Sequence, residues 1–216
     1  MAWTTPGTAT AGEVLTAAFW NANVRDNLIM GSPVYTNEAA RDAAIPAPSE
    51  GMSVYLTTPT IPAATGQSTY IPTGIRTIYN GSVWVCTTPI GAQSVPIGTT
   101  TSTSYTPTLS GSPGTNPSVT LVTGTTAMLN ISATVFNNST SAVIMSVAVS
   151  GAGIVAANDE YSIYLSTHTA NNEHQFGSTH IIPGLTAGTN TFTLNFRVTG
   201  GTGSFYNRRL SVYGIA

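Results

Sequence analysis

The fold is decided by residues 127–136, which read AMLNISATVF. Leu129, Ile131, Ala133 and Val135 stand at every second position, and successive side chains of a strand point to opposite sides. This two-residue period predicts a β-strand with one buried apolar face. Such a face needs a second apolar layer to cover it, so the stretch predicts one strand of a β-sandwich.

Similar segments recur along residues 105–216 at intervals of about twelve residues. Residues 190–199 repeat the alternation in Phe192 and Leu194, and clusters of Gly, Pro, Asn and Ser separate the segments. Seven or eight short antiparallel strands predict a mainly β domain, and a jelly-roll-like β-sandwich is the architecture that we expect. The predicted strands are 105–109, 118–122, 127–136, 142–150, 160–167, 175–182, 190–199 and 204–215.

The chain is unusually poor in charge. Only 6% of its 216 residues are charged, although 41% are apolar. An ordinary soluble protein has about 25% charged residues. The chain has no lysine, and no charged residue lies between Arg76 and Asp159. A surface of Thr, Ser, Asn and Gly gives little electrostatic repulsion between copies, so association is not opposed.

Charge and hydropathy argue against several classes of partner. A net charge of −2 offers no basic patch to nucleic acid. The sequence has no run of eighteen apolar residues and no charged leader before an apolar core. We therefore expect no membrane span and no secretory signal, and expect assembly in the cytoplasm. Cys86 is the only cysteine, which predicts a small apolar side chain in a strand and no intrachain disulfide.

Residues 34–90 form a second predicted unit, a small β-module. Thr36 or Asn37 should cap a short helix over residues 38–44. Alternation predicts a strand within residues 51–58.

The second half of the module contains the strongest local signal. Asn80-Gly81 lies between two β-rich runs and predicts a hairpin with a two-residue turn. Residues 58–73 contain three prolines and predict a loop. Residues 91–104 are rich in Thr, Ser and Pro and predict a linker to the sandwich, residues 105–216.

Residues 1–33 predict an extended arm followed by one helix over about residues 17–30. Trp20, Val24 and Leu28 fall at four-residue spacing and form an apolar stripe. A helix of about fourteen residues is marginal alone in water. We therefore expect the stripe to pack against another copy or another protein.

The same segment carries a resemblance. WTTP at residues 3–6, GEVLTAA at 12–18 and WNANVRDNL at 20–28 resemble the N-terminal motif of small tail, fibre and head-accessory proteins of bacteriophages, especially those of actinobacteria. The resemblance implies a virion component, a homotrimer, anchored by its N-terminus to the major capsid or tail proteins. It does not choose between head and tail. The residues that it assigns to docking and oligomerisation are Trp3, Pro6, Phe19, Trp20, Asn21, Val24, Arg25 and Leu28.

Candidate catalytic and metal-binding residues are few. His168, His174 and His180 recur every six residues, which fits no standard ligand motif, so solvated or hydrogen-bonded loop histidines are the interpretation that we favour over a metal site. Asp159 and Glu160 are adjacent, and neighbours in a strand point to opposite faces, which argues against a glycosidase pair. We expect no metal, no cofactor and no enzymatic activity.

Arg208 and Arg209 place two of the six cations together in the last strand. One of them should face inward or towards a neighbouring chain, where a guanidinium can bind carbonyl groups or a carboxylate such as Glu160 or Glu173. An inter-subunit ion pair and a solvated strand edge are both open at this stage.

Two functions follow from these features. The first is a structural component of a phage virion, either a surface decoration or a short fibre protein that projects a trimeric β-domain. The alternative is a carbohydrate-binding adhesin. In the alternative, loop residues would contact host-surface glycans, and the candidates are His168, Asn171, Asn172 and His174.

Overall fold

A computed structural model of the protein describes residues 32–166 and 168–216. The predicted N-terminal arm and helix, with all docking residues from Trp3 to Leu28, lie outside the described residues. The elements are β1 Val34–Tyr35, α1 Glu38–Ala44, β2 Ser53–Leu56, β3 Ala63–Thr65, β4 Ser68–Tyr70, β5 Ile75–Tyr79, β6 Trp84–Cys86, β7 Ile90–Ser94, β8 Gly98–Thr100, β9 Ser110–Gly111, β10 Ser118–Thr123, β11 Thr126–Asn137, β12 Val143–Gly151, a short 3-10 helix Asp159–Tyr161, β13 Ser162–Leu165, β14 His174–Ile182, β15 Gly188–Val198 and β16 Gly203–Ile215.

Two antiparallel sheets pack face to face as a sandwich. The smaller sheet has the strand order β13-β12-β15-β10-β3. The larger, seven-stranded sheet has the order β14-β11-β16-β7-β4, and β8 joins it by pairing with β16 and β9. The predicted fold class is thereby confirmed for the described residues, which form a mainly β structure with a jelly-roll-like sandwich.

The core lies between the sheets, on the alternating faces that the sequence predicts. In β11, Leu129 and Ile131 are buried, and in β15 so are Phe192 and Leu194. Each such side chain contributes about 1.5–3 kcal/mol through the hydrophobic effect. Alternate residues therefore fix which side of each strand faces inward.

A four-stranded sheet, β1-β2-β5-β6, and helix α1 form the predicted small module. The helix over residues 38–44 is confirmed, and Asn37 caps it by accepting a hydrogen bond from the N–H of Ala40 at 3.0 Å. The guanidinium carbon of Arg41 lies 4.7 Å from the ring centroid of Trp84. Cys86 is buried in the main core, as predicted, and burial raises the pKa of its thiol to about 11. Leu56 and Ile75 of the module also belong to this main core, whereas Ile45, Val54 and Trp84 form a second, separate cluster.

The predicted hairpin is confirmed, but its two-residue turn is wrong. Tyr79 pairs with Trp84, so four residues connect the strands. The side-chain oxygen of Asn80 accepts hydrogen bonds from the N–H groups of Ser82, at 3.1 Å, and Val83, at 2.9 Å. Gly81 has a φ of 88°, whereas Asn80 is not in the left-handed region. Asn80 therefore holds the loop through its side chain.

The predictions of a linker and of a loop are wrong, because both segments contain strands of the sandwich. Residues 91–104 contain most of β7 and all of β8, which pair with β16. Residues 58–73 contain β3, which pairs with β10, and β4, which pairs with β7. These strands are short and polar, so partners that are distant in sequence, rather than a local apolar pattern, stabilise them.

Two further strand predictions need correction. Residues 105–109 form no strand, although Thr106 exchanges backbone hydrogen bonds of 3.0 and 2.8 Å with Phe196. The strand predicted to begin at Glu160 begins at Ser162, because Asn158 caps a short 3-10 helix before it. The other six strands of residues 105–216 agree with prediction to within two residues at each end.

Candidate functional site

The outer face of the larger sheet carries a groove of about 590 Å³, here called the sheet groove. Two cross-strand rows of side chains build it, because residues opposite each other in neighbouring strands share one face. One row runs from β14 to β4 and the other from β14 to β16. The first row is Thr179, Asn130, Ser211, Gly91 and Tyr70, and the second is Gly177, Ser132 and Arg209.

Glycines create the depth of the groove. Gly91 and Gly177 place no side chain on the outer face, whereas Tyr70 beside Gly91 is 56% exposed and forms a wall. A Cβ atom built at Gly91 would lie 3.4 Å from the Tyr70 ring, so the ring leans over this glycine. A Cβ atom at Gly177 would meet only Ser132 at 3.5 Å and a backbone oxygen at 3.6 Å. The space above Gly177 is therefore open.

Polar groups converge on the groove from its other side. The Thr179 hydroxyl donates a hydrogen bond to the side-chain oxygen of Asn130, which leaves the Asn130 amide N–H groups free to donate to a ligand. Arg209 is exposed and is the one charged group among the described residues that line the groove. An aromatic wall, an amide, hydroxyls and a guanidinium can together bind a ligand that has both apolar and hydroxyl-bearing faces.

Arg208 and Arg209 face opposite sides of the sheet, as consecutive strand residues must. Arg208 is 0% exposed, and its Nη2 atom donates hydrogen bonds to the carbonyl oxygens of Pro96, at 3.2 Å, and Pro113. Its guanidinium carbon lies 5.7 Å from the Phe196 ring centroid. Burial lowers the pKa of Arg208 to about 10. The prediction that one arginine faces inward and binds carbonyl groups is confirmed, but Arg208 cannot act between subunits because its own domain encloses it.

Neither predicted carboxylate partner contacts these arginines. Glu173 accepts a hydrogen bond of 2.5 Å from the Tyr206 hydroxyl. Burial, together with this hydrogen bond, raises the pKa of Tyr206 to about 12. Arg209 forms no ion pair within the part of the chain that the structure describes. Its predicted role as an inter-subunit contact stays a prediction.

The residues predicted to contact glycans differ in exposure. Asn171 and Asn172 are exposed in the loop before β14, and Asn171 has a φ of 61°. His168 and His174 are half-buried. His174 stacks on Phe176 with the ring centroids 5.8 Å apart, and Phe176 packs against the main core. Glycan contact by these four residues stays a prediction.

The three histidines do not form a metal centre with other ligands. Within residues 32–166 and 168–216, no group of three or more His, Cys, Asp or Glu side chains is placed to hold a metal ion. His180 packs edge-on against Tyr161, with the ring centroids 6.2 Å apart. Burial lowers the pKa of His180.

Asp159 lies in an ion pair rather than beside a second carboxylate. Arg197 donates to it from Nη2 at 2.5 Å and from Nε at 3.2 Å, and the Tyr105 hydroxyl donates at 2.6 Å. The hydrogen bonds from Arg197 and Tyr105 lower the pKa of Asp159. The hydrogen bond to Asp159 in turn raises the pKa of Arg197. This cluster ties the loop at Tyr105 and the 3-10 helix to β15.

Sequence reasoning missed most of the sheet groove. Tyr70 falls in the predicted loop, and Gly91 in the predicted linker. The outward positions of residues 127–136 were available as a signal, because Asn130 and Ser132 are polar residues between buried ones. No local pattern shows which strand lies next to them, so the register that brings Gly177, Arg209 and Tyr70 to the same face was hidden.

Comparisons with known proteins find only weak structural similarity. No protein-family model and no curated protein matches the sequence. Among solved structures, Eiger TNF from S. frugiperda has a TM-score of 0.40 and 10% identity over 58% of this chain and 92% of its own. The xylan-binding module CBM15 has a TM-score of 0.30 and 9% identity over 77% of this chain and 99% of its own.

A third similar structure is the enzymatically active domain of tailspike protein 4 of bacteriophage CBA120. It has a TM-score of 0.29 and 14% identity over 56% of this chain, and the match spans only 19% of that chain. All three TM-scores are below 0.5, so these likenesses carry no argument about function. Separately, no helix in the described residues is long and apolar enough to cross a membrane.

Proposed function

We propose that this protein is a structural component of a phage virion. It is a surface decoration or short fibre protein that residues 1–33 anchor to the capsid or tail, and it projects the β-sandwich outward as a homotrimer. The observation that carries the proposal is the motif of residues 3–28 in front of a β-structure that holds its own core. The low charge of the chain supports close packing of copies.

The proposal divides the work between the two parts of the chain. Among the described residues, the buried members of the two core clusters lie between Ile45 and Val212. In the proposed trimer, Trp20, Val24 and Leu28 provide the apolar stripe through which the copies pack.

Removal of residues 1–31 tests this division. The full-length protein should sediment with particles that lack the protein, whereas residues 32–216 should stay in solution. Circular dichroism and thermal unfolding of residues 32–216 provide the control, since they should show an intact β-domain. Attachment of the shortened protein at the same affinity would refute anchoring by the N-terminal segment.

Glycan binding is the second candidate function, and the sheet groove is the observation that favours it. The groove offers Tyr70 as an apolar surface and Asn130, Thr179 and Arg209 as hydrogen-bonding groups. The loop of residues 168–174, predicted as the contact, is a weaker candidate because it turns His174 against Phe176. A glycan array with full-length protein tests this function, and Gly177→Leu should abolish every signal that arises in the groove.

A further inference from the structure

We propose that the sheet groove binds glycans that carry a carboxylate, with Arg209 as the residue that selects the acidic sugar and Tyr70 as the surface on which a sugar ring packs. This inference rests on the second candidate function, because it names the class of glycan for that site. It is independent of how the protein attaches to a virion.

The described lining of the groove carries one charge, and it is positive. Arg209 projects from the middle strand of the sheet, and no acidic side chain is among the described residues that line the groove. The neighbouring Arg208 is buried on the opposite side of the sheet and is bonded to the Pro96 and Pro113 carbonyl oxygens, so it does not reach the groove. A planar guanidinium binds a carboxylate through two parallel hydrogen bonds, which makes Arg209 a site for an anion of that shape.

The groove is long enough for several sugars. From β14 to β4 the first row crosses four strand spacings, which is about 19 Å at 4.7–4.9 Å each. Tyr70 lies at one end of this row, and the Asn130–Thr179 pair lies near the other. An extended chain of sugars can therefore contact the ring, the guanidinium and the amide together. A lone inorganic anion would use only Arg209.

The walls of the groove combine an aromatic ring with short polar groups, as a sugar requires. The C–H face of a pyranose is apolar and packs on an aromatic ring, while its hydroxyls need donors and acceptors at the edges. Tyr70 supplies the ring at 56% exposure. Asn130, Ser132 and Ser211 supply short polar groups that lie in neighbouring strands. Gly177, which has open space above it, lets the sugar approach the sheet closely.

Two matched pairs of probes test the inference with the full-length protein. The first pair is a galacturonic acid trisaccharide and its methyl ester, and the second is sialyllactose and its carboxyl methyl ester. Dissociation constants are measured by calorimetry at two salt concentrations. We expect at least one acid to bind roughly tenfold or more tightly than its neutral partner, because a hydrogen-bonded charge is worth about one to two powers of ten in affinity. Binding of that acid should weaken with salt.

Variants then assign the effect to named residues. Arg209→Gln should remove the preference for the acid and leave the neutral partner unchanged. Arg76→Gln is the matched control, because it removes an exposed arginine outside the groove and should change nothing. Gly177→Leu should abolish binding of both members of a pair by filling the groove. The unfolding temperature of each variant shows whether it is folded.

The outcomes separate the inference from the function on which it rests. If both members of a pair bind equally and Gly177→Leu abolishes both, glycan binding stands and the acidic preference is overturned. If Arg209→Gln retains the preference, the assignment to Arg209 is overturned. If no probe binds and a glycan array is blank, the inference and the second candidate function both fail, while anchoring by residues 1–31 is untouched.

Discussion

The Nη2 atom of Arg208 donates a hydrogen bond to the carbonyl oxygen of Pro113, which lies 95 residues earlier in the chain. The same atom reaches the Pro96 carbonyl at 3.2 Å, so one buried cation holds both ends of the segment that includes β8 and β9. No carboxylate pairs with it among the described residues. Carbonyl dipoles and the Phe196 ring therefore replace the counter-ion.

Substitution of Arg208 should separate the cost of the lost volume from the cost of the charge. Arg208→Ala leaves a cavity and unpaired carbonyl groups, and should lower the free energy of unfolding by about 2–5 kcal/mol. Arg208→Met keeps most of the volume and removes a buried charge, and should cost less than about 2 kcal/mol. Urea unfolding of both variants measures the difference. A larger loss in Arg208→Met than in Arg208→Ala would contradict this description.

The Asp159–Arg197 pair should make stability depend on acid pH. Because the pKa of Asp159 is lowered in the folded protein, its contribution is present above the unfolded value of 3.8 and is lost as the pH falls through the folded value. Asp159 is 49% exposed, so a double-mutant cycle with Asp159→Asn and Arg197→Gln should give only about 0.5–1 kcal/mol at neutral pH. The coupling should weaken as the pH falls below the unfolded value of 3.8. A coupling that is constant between pH 7 and pH 2 would exclude this origin.

Substitution by alanine should destabilise the protein at Gly214 but not at Gly177. A Cβ atom at Gly214 would lie 2.5 Å from Cγ1 of Val85 and 3.0 Å from the Cys86 oxygen, where β16 meets β6 of the four-stranded sheet. Gly214→Ala should therefore lower the free energy of unfolding by about 1–3 kcal/mol through overpacking. Gly177→Ala is the control and should stay within about 0.5 kcal/mol, because its Cβ atom makes ordinary contacts. Equal losses in thermal unfolding would show that the close contact at Gly214 does not exist.

The sandwich should not fold without the strands that precede residue 105. Strands β7 and β8 cover one side of β16, and β3 covers β10. A fragment of residues 105–216 would expose these edges and lose Ile90 and Ala92 from the core. We expect this fragment to aggregate or to be unfolded by circular dichroism. Residues 32–216 should instead be folded and should have one defined oligomeric state. A soluble, cooperatively unfolding 105–216 fragment would contradict the pairing.

Alternation in the sequence was sufficient to predict the inner strands, because residues such as Leu129 and Phe192 sit on faces that burial enforces. The helix cap was equally local, since Asn37 acts on Ala40 three positions later. The strands at 63–70 and 90–100 were missed because their partners lie far away in the chain. The sheet groove was missed for the same reason: Tyr70, Asn130 and Arg209 come together only through the register of four strands.

The most direct test of the central proposal is electron microscopy of purified phage particles labelled with an antibody against residues 105–216. The proposed anchoring predicts label on the outside of intact particles, at fixed positions on the head or the tail. Particles that carry no label, while the protein is present in the lysate that produced them, would contradict the proposal that it is a virion component.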